Sequence, residues 1–473
     1  MSRLKLMDRK LIWSWILFSV AALAVLAASC HRRAGSPNVL LVIIDTLPAG
    51  HSSAYGYERQ TTPTLEALAK EGVRFEHAIS AAPWTLPALA SILTGTLPSR
   101  HQAGMHLDPW TLDDRRLATM SQNLVTLAEV FRQKGYATAG FFENPFAHPG
   151  YGLGRGFEVY DYAPGDNLTI RRADMVTAAA TRWLLTRERK NQPFFLVVHY
   201  FDPHLAYDPP PQFMATYAYG YKGRLIPPYN PDPAELKKLK FGELKPSLED
   251  REFIRGLYDA EVAFTDSQVG AFFEFLRREG LYDPTLVAVT ADHGEEFWEH
   301  GGFEHGHTLY RELIEVPLIL KFPQGKWAGA VVKERVSMMD LFPTVMEYLG
   351  WPVPFAVDGR SFLSTSDTQF QFPPRVSIIS ENLHYGPEKQ SIYCGPYQLI
   401  INRVTGRLEL YHADTDPGET QDILGQRETL PAVCKEQVVG VAKTLEELEK
   451  EPAREYPPDP ETKAKLRALG YIK

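Results

Sequence analysis

Short apolar runs recur along the chain, each too brief for a helix. Asn38–Ile44 reads Asn-Val-Leu-Leu-Val-Ile-Ile, continuous and largely β-branched. That is the pattern of a central parallel strand covered on both faces. Ala137–Phe142, Phe194–Tyr200, Thr285–Thr290 and Pro317–Phe322 read the same way. Between them, apolar residues return at helical spacing. Thr62-Pro63 supplies an N-cap and first turn, and Gly72 ends that helix. Leu124, Leu127, Ala128 and Phe131 mark another, stopped at Gly135. A long helical stretch runs from Ser247 to about Gly280. Helix alternating with buried strand predicts a doubly wound α/β fold, its mostly parallel central sheet flanked by helices.

The pattern is interrupted in three places. Residues 205–248 form a Pro/Tyr-rich insertion of the length of a lid. Beyond residue 365, Ser377–Ser380, Gln390–Asn402 and Arg407–Tyr411 read as a small antiparallel sheet. The expected layout is 36–365 for the catalytic body, 366–425 for that sheet and 426–473 for a charged helical tail. The third interruption is residues 1–30. Arg3, Lys5, Arg9 and Lys10 precede an uncharged apolar stretch from Leu11 to Ser29. This reads as an export signal or a single membrane anchor. Ala27-Ala28-Ser29-Cys30 before His31-Arg32-Arg33 resembles a bacterial lipoprotein signal, with Cys30 as the lipidated first residue. Cleaved or not, the segment implies a body on the periplasmic or extracellular face, tethered to the membrane.

Composition narrows the partners. A hydrophobic share of 44% and a charged share of 23% suit a folded globular body. The net charge of −8 gives no electrostatic footprint for nucleic acid. An anionic substrate must then be gripped locally. Besides Cys30, only Cys394 and Cys434 are present, either paired or as separate buried thiols, and no zinc-thiolate spacing exists.

Open α/β sheets bind ligands at the carboxyl ends of their strands. Asp45, Glu143-Asn144, Asp202 and Asp292-His293 end predicted strands. A lone Asp in such a place is most often a turn former, but several at successive strand ends point to a metal. Thr85, in Ala82-Pro83-Trp84-Thr85-Leu86-Pro87, has the placing of an ordinary N-cap. Its oxygen would also sit at the positive end of a helix, where anions gather. Asp45, Thr85, Asp292 and His293 are then a ligand set suited to Zn²⁺, Mn²⁺ or Ca²⁺, with the His leaning toward zinc. His300, His305 and His307 lie among Glu295, Glu296 and Glu299, and His204 follows Asp202-Pro203. Such imidazoles can hold a second cation, move a proton at the leaving group or bind an anion.

At these residues the chain resembles the sulfatase branch of the alkaline phosphatase superfamily. The resemblance is carried by Asn38 to Thr46, Tyr55-Gly56-Tyr57, Thr62 to Leu65, Ala82 to Pro87, and Pro98-Ser99-Arg100-His101. It continues through Phe201-Asp202-Pro203-His204, Ala291 to Glu295, His305-Gly306-His307, Asp358-Gly359-Arg360-Ser361 and Asp416 to Glu419. It implies a metal held by Asp45, Thr46, Thr85, Asp292 and His293, and ester cleavage through a covalent intermediate on residue 85. Thr85, His204 and His305 are the expected catalytic groups; Asn144, His204 and His307 are the expected substrate contacts. A second ion on Asp202, His204 and His305 is a further expectation. The formylglycine signature of sulfatases, Cys/Ser-x-Pro-x-Arg, here reads Thr85, Pro87 and Leu89. Threonine in that place resembles the branches whose hydroxyl attacks phosphorus. The expected activity is therefore hydrolysis of a small-molecule, glycan or lipid ester of sulfuric or phosphoric acid. The alternatives are a phospho-headgroup transferase and a catalytically degenerate binding protein.

Overall fold

The computed structural model describes residues 36–106, 116–162, 170–363, 377–425, 431–432, 434–436 and 460. Met1–Pro37 forms one unit and Asn38–Lys473 another, and the second carries every element below. The expected N-terminal signal or anchor, and nearly all of the expected helical tail, lie outside the described residues. Among the described residues no helix is long and apolar enough to cross a membrane.

The main sheet has strands β1 (Asn38–Ile44), β2 (Val73–Ile79), β3 (Ala137–Phe142), β4 (Val159–Tyr162), β5 (Phe194–Tyr200), β6 (Thr285–Ala291), β7 (Glu315–Lys321) and β8 (Ala330–Ser337). Their order across the sheet is β8-β2-β7-β6-β1-β5-β3-β4. Strands β1, β3, β5 and β6 are buried along their whole length, which explains their unbroken apolar runs. Helices lie between them in the sequence, as expected. Strand β7 corrects one expectation: it runs antiparallel to both β2 and β6. Because it is reversed, it starts at the edge where β6 ends. Residues 292–314 therefore stay at that edge, with no crossover to the opposite one.

Two helices position the site. Helix α1 (Pro63–Glu71) begins after Thr62, but the Thr62 side chain caps nothing. The Asp266 carboxylate instead accepts the Thr64 and Leu65 amides at 2.8 and 3.1 Å. Helix α2 (Thr85–Thr94) is buried at every position, its polar Thr85, Ser91 and Thr94 included. Leu89 is part of the core. The long helical stretch is Leu248–Arg278, capped by Ser247. The 205–248 insertion contains two helices, Pro211–Tyr217 and Pro233–Lys240, and buries Tyr207, Leu236 and Leu239. The small antiparallel sheet is present as Ile378–Ser380, Lys389–Cys394, Tyr397–Asn402 and Leu408–His412. Of the two cysteine readings, pairing holds: Cys394 and Cys434 form a disulfide.

Candidate active site

Four neighbouring strands, β6, β1, β5 and β3, deliver their carboxyl ends to one place. Asp45 follows β1, Asp292 follows β6 and Asn144 lies just beyond β3; all three are fully buried. The fourth contribution, from β5, is His199, which sequence reasoning missed. It lies inside the strand, paired in register with Ile43, and so sits on the floor of the site below Asp45. His199 Nε2 is 3.8 Å from Asp45 Oδ2 and 3.7 Å from Asp292 Oδ2. His293 Nε2 lies 3.4 Å from Asp45 Oδ1 and 3.7 Å from Asp292 Oδ2.

Thr85 completes the cluster from the first turn of α2. The N-cap position belongs to Trp84, so the capping reading of Thr85 is corrected. Its Oγ1 accepts from Asn144 Nδ2 at 2.9 Å and lies 3.3 Å from His293 Nε2. Asn144 Nδ2 also donates to Asp45 Oδ2 at 2.6 Å. The loop carrying Thr85 is tied down. Ser80 Oγ bonds the Asp292 carbonyl, and Ser380 Oγ donates to the Ser80 carbonyl at 2.6 Å. Gly294 has no room for a side chain: a Cβ there would lie 1.9 Å from the Glu312 carbonyl oxygen.

The residues fit a divalent cation. Asp45 Oδ1, Thr46 Oγ1 and Asp292 Oδ2 are buried and find no hydrogen-bond partner among the described residues. Thr46 holds φ at 54°, which a β-branched residue rarely adopts. Two carboxylates buried side by side repel one another unless a cation is shared. Burial, then the Asp292 charge, pushes Asp45 well above the usual carboxylate range. Asp45, His199 and Asp292 each offer a ligand atom to one centre. Thr46 and His293 stand beside them.

The remaining histidines separate into two groups. His204 and His305 face each other with ring centroids 5.0 Å apart, and His305 is 4.5 Å from the His293 ring. Burial lowers His204 to about 3 and His293 and His305 to about 4, so all three are neutral at physiological pH. His305 Nδ1 is 2.8 Å from Glu295 Oε1, and His204 Nδ1 is 2.6 Å from the Leu205 carbonyl. Lys240, from the insertion, pairs with Glu304 and donates to the His305 carbonyl at 3.1 Å. The expected second cation does not assemble around Asp202. Its carboxylate accepts the Ala173 amide at 2.7 Å and so caps the helix Ala173–Thr186. His307 is held by Glu296 at 2.8 Å.

His300 is spent on structure. Its Nδ1 lies 2.7 Å from Glu312, its Nε2 3.3 Å from the Glu419 carbonyl, and its ring stacks on Tyr310. Burial works against both charges of the pair and raises Glu312. For His300 the burial penalty is outweighed by the bond to Glu312 and by the Glu312 and Glu419 charges, which hold it at about 9. Its native value is thus above the unfolded one of about 6.5. The stabilisation is complete below about pH 6.5 and disappears as pH rises through about 9. We expect the difference in Tm between wild type and His300→Gln to shrink across that window. A difference independent of pH would exclude a charged His300.

Comparisons with known proteins show what the chain is similar to. The sulfatase family profile matches residues 37–351, and that of the N-sulphoglucosamine sulphohydrolase C-terminal region matches residues 298–450. Human N-sulphoglucosamine sulphohydrolase is 28% identical over 465 residues, covering 85% of this chain and 88% of its own. A solved complex with the substrate D-glucosamine-2-N,6-O-disulfate superposes with a TM-score of 0.67 at 20% identity, covering 88% and 98% of the two chains. A phosphonate monoester hydrolase of Agrobacterium radiobacter does so with a TM-score of 0.66 at 19% identity, covering 87% and 95%. The buried cluster at the strand ends and the match across most of the chain together identify a member of the sulfatase family of the alkaline phosphatase superfamily, a sulfatase-like ester hydrolase.

Proposed function

We propose that the chain hydrolyses anionic esters of sulfuric or phosphoric acid, carried on a glycan or lipid, with Thr85 as nucleophile. The observation that carries this reading is the Thr85 hydroxyl: buried, and joined to Asp45 through Asn144 at the positive end of α2. A cation held by Asp45, Thr46, His199, Asp292 and His293 would supply positive charge against the substrate oxygens and lower the hydroxyl pKa. The chain's own residues do the rest. Thr85 Oγ1 attacks sulfur or phosphorus, and the bond to the ester oxygen breaks. His305, donating from Nδ1 to Glu295, has a proton-accepting Nε2. The Thr85 proton is released to solvent, and the departing alkoxide takes a proton from water held at the His204 and His305 imidazoles. His204 flanks the same step. Water then cleaves the Thr85 ester, releasing sulfate, or from a phosphodiester the phosphate monoester and from a phosphonate monoester the phosphonate, and restoring the hydroxyl.

The sulfated amino sugar of the solved relative supports a sulfated glycan; the threonine supports phosphorus. A panel of glucosamine sulfates, aryl sulfates, phosphodiesters and phosphonate monoesters separates them. Acid-quenched turnover should leave the sulfuryl or phosphoryl group on the Thr85 peptide, read by mass spectrometry. Turnover with no adduct on that peptide, even at saturating substrate, would remove the covalent route. We also place the body on the periplasmic or extracellular face. The basic-then-apolar residues 1–30 and the Cys394–Cys434 disulfide favour an exported, membrane-tethered protein.

A further inference from the structure

We infer that this centre selects a first-row transition metal, zinc foremost, over calcium, and that His199 is the ligand that decides it. The inference rests on the proposed reading only for the presence of one cation. His199 is completely buried in a strand otherwise built of apolar side chains, with its ring stacked on Phe142. Neither ring nitrogen finds a hydrogen-bond partner among the described residues. A buried imidazole without partners is destabilising unless something unseen satisfies it. A protonated His199 bridging the carboxylates would stand at about 2.7–2.9 Å from them. It stands instead at 3.7 and 3.8 Å. Those separations, with 3.4 Å between His293 Nε2 and Asp45 Oδ1, are spacings between neighbouring ligands of one ion. Tetrahedral zinc with bonds of about 2.0–2.1 Å places its ligands roughly 3.3–3.4 Å apart, which the His293–Asp45 spacing matches and the His199 spacings exceed, so the choice of metal rests on the donors.

The identity of the donors then discriminates. Calcium takes six to eight ligands, all of them oxygen. Here two imidazole nitrogens, of His199 and His293, stand among the candidate ligands. Asn144 cannot add an amide oxygen, because it turns its N–H₂ toward Asp45 and Thr85 while its oxygen accepts the Phe146 amide at 2.9 Å. What remains is the oxygens of Asp45, Asp292, Thr46 and Thr85. Two carboxylates with two imidazoles suit zinc, cobalt or manganese, and affinity among these rises toward zinc.

The test uses the full-length protein, wild type, His199→Ala and His199→Gln, each stripped by chelator and checked for folding by circular dichroism. Each is then equilibrated with equimolar Ca²⁺, Mn²⁺, Co²⁺ and Zn²⁺, and bound metal is counted by plasma mass spectrometry. Wild type should retain zinc. His199→Ala should lose roughly 100-fold or more in zinc affinity, and His199→Gln, offering oxygen, should shift the balance toward calcium and manganese. Calcium bound preferentially by wild type overturns the inference whatever the variants do. A folded variant that binds zinc as tightly as wild type overturns the role of His199. Preferential calcium binding by a protein that cleaves esters would refute this inference and leave the hydrolase reading intact; zinc held through His199 in a protein that cleaves none of the panel would do the opposite.

Discussion

Replacing Thr85 by alanine is expected to lower kcat/KM by roughly 10³-fold or more on every ester the enzyme accepts, the scale on which loss of a nucleophile is felt. The fold should survive. Thr85 Oγ1 bonds Asn144 and lies against His293, and the cap position of its helix belongs to Trp84. Helix stability therefore does not depend on the hydroxyl, and Tm should move little. Thr85→Ser keeps the oxygen and should retain most of the rate. Unchanged turnover in folded Thr85→Ala would show that some other group, or water itself, attacks the ester.

Trp84→Ala is expected to destabilise the protein by about 3–5 kcal/mol, as for other large aromatic residues removed from a packed core. Trp84 is completely buried. Its ring meets Phe146 edge-on at 5.0 Å and lies 4.6 Å from His384, while Nε1 donates to the Asn382 carbonyl at 2.6 Å. One side chain thus joins the start of α2, the segment beyond β3 and the loop leading into Lys389–Cys394. The alanine leaves a cavity and an unpaired carbonyl together. Trp84→Phe should recover the packing but not the hydrogen bond. A denaturant midpoint corresponding to less than about 1 kcal/mol for Trp84→Ala would mean that the site collapses without penalty.

What could be read from the sequence follows from where each residue stands. Asp45 and Asp292 end apolar runs that only a buried strand explains, so their convergence was legible. His199 stands inside such a run, between Val198 and Tyr200, where a core residue is the normal reading. The available signal was the imidazole itself, the polar exception in a fully buried strand. The reversal of β7 was hidden because periodicity carries no direction. Strands β2 and β8 went unread because charged residues such as Arg74, Glu76 and Lys333 break their apolar character. The true cap of α1 comes from Asp266, far away in sequence, which no local pattern can reveal.

The reversal of β7 also decides where the chain can change length. Residues 292–314 leave and rejoin the sheet in adjacent, directly paired strands, with Leu318 opposite Thr290. The segment behaves as a cassette plugged into a fixed socket. The hairpin Glu296–Glu304 within it can change length without altering the strand order on either side.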